Sequence, residues 1–141
     1  MNVTEALTYI HSVCWKGSIP GLSRTKELLA RMGNPEKRLR FVHIAGTNGK
    51  GSTAAMIASV LQKAGYRTGL YTSPYLFRFH ERMKVNGEDI TDGELAEITQ
   101  WVKPHAEAME DHPTEFELVT AIAMEYFARQ RCDIVGLEVG M

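Results

Sequence analysis

The chain has 141 residues, of which 44% are hydrophobic and 23% are charged, and its formal net charge is −1 at pH 7. This length and composition predict a single globular domain that is large enough to bury a core. The charge gives no electrostatic basis for a nucleic-acid or membrane partner, and no segment resembles a membrane span or an export signal. Cys14 and Cys132 make neither a disulfide framework nor a metal cluster, so we expect a cytoplasmic protein.

The first 45 residues predict two helices and a strand. Thr4 can cap the first helix, and Ser23 can cap a second helix that Gly33 ends. Residues 16–22 are rich in glycine and proline and form a loop between the helices. An apolar strand over residues 40–45 follows.

A glycine-rich turn comes directly after that strand, with the sequence Gly46-Thr47-Asn48-Gly49-Lys50-Gly51-Ser52, and a helix follows to about residue 64. Glycines let backbone N–H groups converge on phosphate oxygens, and a helix N-terminus adds partial positive charge. The pattern therefore predicts a nucleotide-phosphate site in which Lys50 places its charge between the β- and γ-phosphates. The residues expected to contact the nucleotide are Thr47, Asn48, Gly49, Lys50, Gly51, Ser52 and Thr53.

The turn departs from the standard Walker A pattern at two places. Ile44 stands where the early glycine is expected, and Gly51 separates Lys50 from the hydroxyls of Ser52 and Thr53. The alternative interpretation is an ordinary glycine-rich turn with a solvated lysine.

The next elements extend the sheet. Residues 67–72 predict a strand that completes a βαβ unit with parallel strands and a right-handed crossover. Asn86-Gly87 lies between extended-looking flanks and predicts a hairpin. A last apolar strand emerges in residues 133–141, at the end of the chain, so we expect the sequence to be the front part of a longer protein.

Two capping boxes predict the remaining helices, over roughly residues 92–111 and 115–131. The boxes are Thr91 with Glu94 and Thr114 with Glu117. Together these elements predict an α/β fold: a mostly parallel sheet that contains the phosphate loop and is flanked by helices.

A hydroxyl and a carboxylate are expected at the same edge of the sheet as the glycine loop. Ser73 follows the second strand, and Glu138 lies near the end of the last one. Oxygen ligands of this kind, beside a triphosphate, suit Mg²⁺. Ser73 is also a common residue type before a proline in a turn, whereas a carboxylate buried without a partner would be costly. We therefore predict a magnesium site formed by Ser73 and Glu138.

Three segments resemble the folylpolyglutamate synthase and dihydrofolate synthase branch of the Mur ligase superfamily. They are the loop Gly46–Ser52, the segment Thr72-Ser73-Pro74-Tyr75-Leu76 and the block Leu137-Glu138-Val139-Gly140-Met141. The resemblance implies that residues 1–141 are the N-terminal part of a Mur-ligase-like ATP-binding domain. The rest of that domain and a C-terminal glutamate-ligase domain would lie outside this chain. In the family the serine and glutamate matching Ser73 and Glu138 bind Mg²⁺, and a later histidine completes the set.

Two further segments resemble the folate side of this family. Gly21-Leu22-Ser23-Arg24 is similar to a loop near the pterin site, and Thr114-Glu115-Phe116-Glu117 matches a block that lines the folate pocket. Arg82 is a further candidate, for the anionic tail of folate. Each has a plainer interpretation: Thr114 and Glu117 as a helix cap, Phe116 as a core residue, and Arg82 as a solvated charge.

The resemblance implies an ATP-dependent amide ligase that adds L-glutamate to the γ-carboxyl of folate. ATP phosphorylates the substrate carboxylate, and the amino group of glutamate attacks the acyl phosphate and releases phosphate. The implied ligands are ATP, Mg²⁺, L-glutamate and folate or dihydropteroate, and we expect a monomer. A bifunctional enzyme that also uses dihydropteroate, a P-loop kinase and a nucleotide-binding module without turnover stay open. Gly51 argues against the kinase, and this chain alone is expected to be inactive.

Overall fold

The structure is a computed structural model that describes residues 1–13, 22–44, 50–73 and 77–138, with only the helical backbone for residues 50–52. Its helices are α1 (Val3–Ser12), α2 (Ser23–Arg31), α3 (Lys50–Lys63), α4 (Asp92–Glu107) and α5 (Glu115–Arg129). Its strands are β1 (Phe41–His43), β2 (Thr68–Thr72), β3 (Met83–Val85), β4 (Glu88–Asp89) and β5 (Ile134–Glu138). Short 3₁₀ turns lie at Pro35–Arg38 and Phe79–Arg82.

The chain divides into two compact units. The first comprises Met1–Glu36 and Asp92–Tyr126, and the second comprises Lys37–Thr91 and Phe127–Met141. Over the ranges that the structure describes, no helix combines the length and apolar character needed to cross a membrane.

The first unit is helical, and α4 is the helix against which both α1 and α2 pack. Fully buried apolar side chains occur in all four helices of this unit, α1, α2, α4 and α5; they are Ala6, Ile10, Leu28, Leu95, Val102, Leu118 and Ile122. Two predicted caps are wrong. Asn2, not Thr4, caps α1, because its side chain accepts the Glu5 N–H at 2.8 Å while Glu5 Oε1 accepts the Asn2 N–H at 3.0 Å. Ser23 lies inside α2, which begins without a side-chain cap.

The second unit contains a five-stranded sheet in the order β1-β5-β2-β3-β4. Strands β1, β5 and β2 are parallel, and β3 and β4 add an antiparallel hairpin. Helix α3 packs against β2 and β5. The α/β fold is confirmed, although the sheet is mixed and β5 lies between the two strands of the predicted βαβ unit.

The predicted hairpin turn is confirmed at Asn86-Gly87. Both residues have positive φ, 50° and 82°, as a two-residue type I′ turn requires. Asn86 also fastens the hairpin to the start of β2: its N–H donates to the Thr68 carbonyl and its Oδ1 accepts the Thr68 N–H, both at 2.8 Å. Across the hairpin, Lys84 Nζ lies 2.5 Å from Asp89 Oδ1. These contacts hold the hairpin of β3 and β4 in register with β2.

Candidate active site

The carboxyl ends of β1, β5 and β2 meet at one edge of the sheet because the three strands are parallel. Ile44 continues from β1, and its N–H donates to the Leu137 carbonyl at 2.9 Å. Of the predicted nucleotide contacts, Thr47, Asn48 and Gly49 lie outside the described residues. Lys50, Gly51 and Ser52 form the first turn of α3, with only their backbone described. Thr53 follows them and is exposed.

The structure brings Ser73 and Glu138 together at this edge. Thr72 is the register partner of Glu138, and the Ser73 N–H donates to the Glu138 carbonyl at 3.1 Å. Glu138 is buried, with 6% of its surface exposed. Ser73 and the buried Glu138 therefore stand on neighbouring strand ends, and β5, which carries Glu138, also pairs with β1, the strand that precedes the glycine-rich stretch of the sequence. Within the described ranges, no group of three or more His, Cys, Asp and Glu side chains is placed to hold a metal.

Arg82 is the residue whose position the sequence did not predict. It is buried, with 9% of its surface exposed, and its Nη2 donates to Ser73 Oγ at 3.4 Å. Its guanidinium carbon lies 5.4 Å from the centroid of the Phe79 ring, within the range of cation–π contacts. The plainer interpretation of Arg82 as a solvated charge is wrong. A charged residue is usually at the surface of a protein, so the sequence alone does not predict the burial of Arg82, which lies in the 3₁₀ turn Phe79–Arg82.

The turn that carries Arg82 is tied to the chain around Ser73. Glu81 Oε1 accepts the Phe77 N–H at 3.3 Å, and the Thr72 hydroxyl donates to the Glu81 carbonyl at 3.4 Å. His80, in the same turn, is also buried. These hydrogen bonds join the turn that carries Arg82 to Thr72 and Phe77, which lie before and after Ser73 in the sequence, and so keep the Arg82 side chain beside Ser73.

The block at Thr114–Glu117 forms the predicted capping box at the start of α5. The Thr114 N–H donates to Glu117 Oε1 at 2.8 Å, and the Glu117 N–H donates to Thr114 Oγ1 at 3.3 Å. Both side chains are buried. The outward residues of the block differ: Phe116 is 45% exposed, so its interpretation as a core residue is wrong, and Glu115 Oε1 lies 2.6 Å from His11 Nδ1.

Glu117 is also one half of a buried ion pair. Arg24 Nε donates to Glu117 Oε1 at 2.8 Å, and Arg24 Nη2 donates to Glu117 Oε2 at 3.0 Å, a bidentate geometry. Burial alone would raise the pKa of the Glu117 carboxyl, but the hydrogen bonds from Arg24 and Thr114 outweigh it and hold that pKa below its usual range. Arg24 also reaches Asp111 Oδ2 at 3.5 Å. The guanidinium of Arg24 is thus engaged by carboxylates of its own chain.

The fold and the sheet edge define the class of protein: an α/β domain in which the parallel strand β1 precedes a glycine-rich stretch of the sequence and helix α3. No family model matches the chain. The Bacillus subtilis dihydrofolate synthase/folylpolyglutamate synthase is 49% identical over 142 residues, which are 97% of this chain and 33% of that protein.

Solved structures of related proteins also match the whole length of this chain. A folylpolyglutamate synthase complex with AMPPCP and folate superposes with a TM-score of 0.92 at 39% identity, over 100% of this chain and 36% of that one. A bifunctional folylpolyglutamate synthase/dihydrofolate synthase with Mn, AMPPNP and L-glutamate superposes with a TM-score of 0.85 at 31% identity, over 100% and 34%. The chain belongs to the folylpolyglutamate synthase and dihydrofolate synthase family. It spans about a third of the length of the relatives it matches.

Proposed function

We propose that this chain is the N-terminal part of the ATP-binding domain of an ADP-forming ligase that joins L-glutamate to the γ-carboxyl of folate. The observation that carries the proposal is the meeting of Ser73 with the buried Glu138 beside the strand that leads into the glycine loop. The relatives with AMPPCP, folate and L-glutamate support the same choice of ligands. The rest of the ATP-binding domain and a glutamate-ligase domain belong to the remainder of a protein of the relatives' length.

The chain's own residues would bind and orient the reactants. The N–H groups at the start of α3 and the glycine loop would hold the phosphates, and Lys50 would neutralise the β- and γ-phosphate oxygens. Residues Thr47–Thr53 are the proposed nucleotide contacts. The substrate carboxylate would take the γ-phosphoryl group, and the glutamate amine would then displace phosphate from the acyl phosphate. In phosphoryl transfer the protein contributes mainly positioning and charge neutralisation.

The donor set at the sheet edge fits Mg²⁺. A buried carboxylate and a hydroxyl are hard oxygen donors, and a site of two protein oxygens leaves positions for water and phosphate oxygens. Ser73 and Glu138 would hold the ion, which when bound neutralises phosphate charge. The related complex with Mn and AMPPNP supports a divalent cation in this role.

The folate-side assignment is the outward face of the Thr114–Glu117 block. Phe116, 45% exposed, and Glu115 present an aromatic face and a carboxylate, whereas Thr114 and Glu117 would act by holding the start of α5 in place. A bifunctional enzyme that also uses dihydropteroate is the second candidate, because the Bacillus subtilis relative carries both names. We further propose a monomeric, cytoplasmic protein.

The phosphate assignment is tested by Lys50→Ala in the full-length protein. We expect folate- and glutamate-dependent release of ADP to fall by a factor of about 100 or more, since removing one preorganised charge-stabilising group has effects of that order. Lys63→Ala is the matched control, because Lys63 is an exposed lysine in the last turn of the same helix. Near-normal turnover of Lys50→Ala, with an unchanged circular dichroism spectrum, would contradict the assignment.

The metal assignment is tested by Glu138→Gln, with Glu88→Gln as the control at an exposed position. Loss of the carboxylate should raise the Mg²⁺ concentration required for half-maximal AMPPCP binding by about tenfold or more, within the range found for altered metal sites. An unchanged Mg²⁺ titration would remove Glu138 from the site.

A further inference from the structure

Arg82 is a buried cation whose donors are incompletely used. A guanidinium has five N–H donors in a planar fork. Nη2 of Arg82 donates to the Ser73 hydroxyl at 3.4 Å, and Nε makes no hydrogen bond to any residue that the structure describes. With 9% of its surface exposed, Arg82 has little water to satisfy the remaining donors. A buried charge is costly unless a counter-charge or a full set of hydrogen bonds compensates it.

The neighbours of Arg82 that the structure describes hold its position without neutralising it. The Phe79 ring covers its guanidinium at 5.4 Å, and Ser73 supplies a neutral hydroxyl. Arg24, the other buried arginine among the described residues, is different because Glu117 pairs with it through two bonds of 2.8 and 3.0 Å. The charge of Arg24 is therefore compensated by a carboxylate of the same chain. The Nε–H of Arg82, in contrast, can donate to an acceptor from outside the described residues.

The hydrogen bond from Nη2 to Ser73 Oγ orients the guanidinium of Arg82. Ser73 lies at the end of β2, with its N–H bonded to the Glu138 carbonyl. A serine hydroxyl carries two acceptor lone pairs, so a bond from Arg82 leaves one for a second interaction. A cation that shares Ser73 with the candidate metal site is thus within reach of any anion bound there.

We propose that Arg82 binds the oxyanion handled at Ser73, by a guanidinium–oxyanion contact that the described part of the chain leaves unfilled. The proposal rests on the proposed function and deepens it. The oxyanion has two possible sources with the same chemistry: the terminal phosphoryl group of the nucleotide and the substrate carboxylate that accepts it. Arginine suits either one, because its fork matches the geometry of phosphate and carboxylate oxygens.

Equilibrium binding to the full-length protein separates the two sources. The variants are Arg82→Gln and Arg82→Lys, and Arg38→Gln is the control for loss of one exposed positive charge. Dissociation constants for AMPPCP, ADP, folate and a folate analogue with an amide at the γ-carboxyl are measured by calorimetry. If Arg82 contacts the phosphoryl group, Arg82→Gln weakens AMPPCP binding by about tenfold or more and ADP binding by less than twofold.

If Arg82 contacts the substrate carboxylate, AMPPCP binding stays within twofold, folate binding weakens by about tenfold or more, and binding of the amide analogue is unchanged. Either pattern supports the proposal and names the source. Equal dissociation constants in the variant and the parent for AMPPCP and folate overturn it. So does an equal weakening of AMPPCP, ADP, folate and the amide analogue, which is the result expected of a residue that only supports the fold.

Arg82→Lys keeps the test decisive if Arg82→Gln unfolds. Lysine retains the charge and loses the fork, so we expect the same ligand to bind at least about threefold more weakly than in the parent. Unchanged affinities in a folded Arg82→Lys protein would overturn the proposal. The Lys50→Ala result is independent: if Lys50→Ala loses nucleotide binding while the Arg82 variants bind both AMPPCP and folate as the parent does, the role of Arg82 alone is refuted.

Discussion

Gly69 is the position where one added methyl group tests the packing beneath the candidate site. It lies in β2, the strand that ends at Ser73, and is paired with Val135 on one side and Val85 on the other. A Cβ at Gly69 would lie 2.7 Å from Cδ1 and 2.9 Å from Cε1 of Phe127. Phe127 is fully buried, so its ring has no open space into which it could turn. Gly69→Ala must therefore move either the ring or the strand.

Two opposing effects set the size of the change. Overpacking a well-filled core costs about 1–3 kcal/mol, whereas replacing a strand glycine with alanine recovers about 0.5–1 kcal/mol of backbone entropy. The net expectation is a loss of about 0.5–2 kcal/mol in the free energy of unfolding, because contacts of 2.7 and 2.9 Å with an aromatic ring exceed what small adjustments absorb. Chemical denaturation of the parent and variant proteins measures the loss.

The control is Gly93→Ala in the first turn of α4. Apart from the adjacent residues and the backbone of its own helix, a Cβ built at Gly93 meets no heavy atom of the described residues within 4 Å, so alanine should leave stability unchanged or raise it by up to about 1 kcal/mol. A double variant, Gly69→Ala with Phe127→Leu, should be more stable than the sum of the single changes predicts, by about 1 kcal/mol. Equal or higher stability of Gly69→Ala, or strict additivity in the double variant, would refute the reasoning.

Two further predictions concern titratable groups. Glu117→Gln should lower the free energy of unfolding by about 2 kcal/mol at pH 7, which lies between the values for exposed and fully buried ion pairs. The loss is smaller than for a fully buried pair because Arg24 keeps a second carboxylate, that of Asp111, which is 65% exposed. Folding lowers the pKa of the Glu117 carboxyl from its ordinary value of 4.5. Its contribution to the free energy of unfolding is therefore fully present above pH 4.5 and is lost as the pH falls through the lowered pKa. Thermal unfolding from pH 7 to 3 should therefore show a shallower acid decline in Glu117→Gln, and parallel curves would contradict this. Burial raises the pKa of the Cys132 thiol to about 11, so in a Cys14→Ser background a disulfide reagent at pH 8 should modify Cys132 only as fast as the protein unfolds. Rapid modification of the folded protein would contradict the burial of this thiol.

Local patterns predicted those parts of the fold that depend on neighbours in sequence. The Asn86-Gly87 turn needs two adjacent residues that accept positive φ, and the Thr114–Glu117 box needs two side chains three positions apart. Both were predictable because the interacting groups are a few residues apart. The cap of α1 was assigned to the wrong residue for the same reason, since Asn2 and Thr4 both precede an apolar run and either can accept a helix N–H.

The order of the strands was not predictable in the same way. Alternating helix and strand signals give a parallel direction, but they do not say that β5 enters between β1 and β2. Strand order depends on pairing between segments that are far apart in sequence, such as Gly69 with Val135. The Arg24–Glu117 pair spans 93 positions and is likewise invisible to periodicity.

The two buried arginines show why composition alone misplaces functional charges. Arginines are mostly exposed in proteins, and yet both of these are almost fully buried in the fold. Arg24 meets carboxylates, so its burial orders the start of α5 and has a stabilising role. Arg82 meets a hydroxyl and an aromatic ring beside the end of β2, which fixes the position of a positive charge without cancelling it. Arg82 and the buried Glu138 thus both lie beside Ser73. A fixed positive charge there suits an anion, which is what the proposed phosphoryl transfer to a carboxylate would place at this edge.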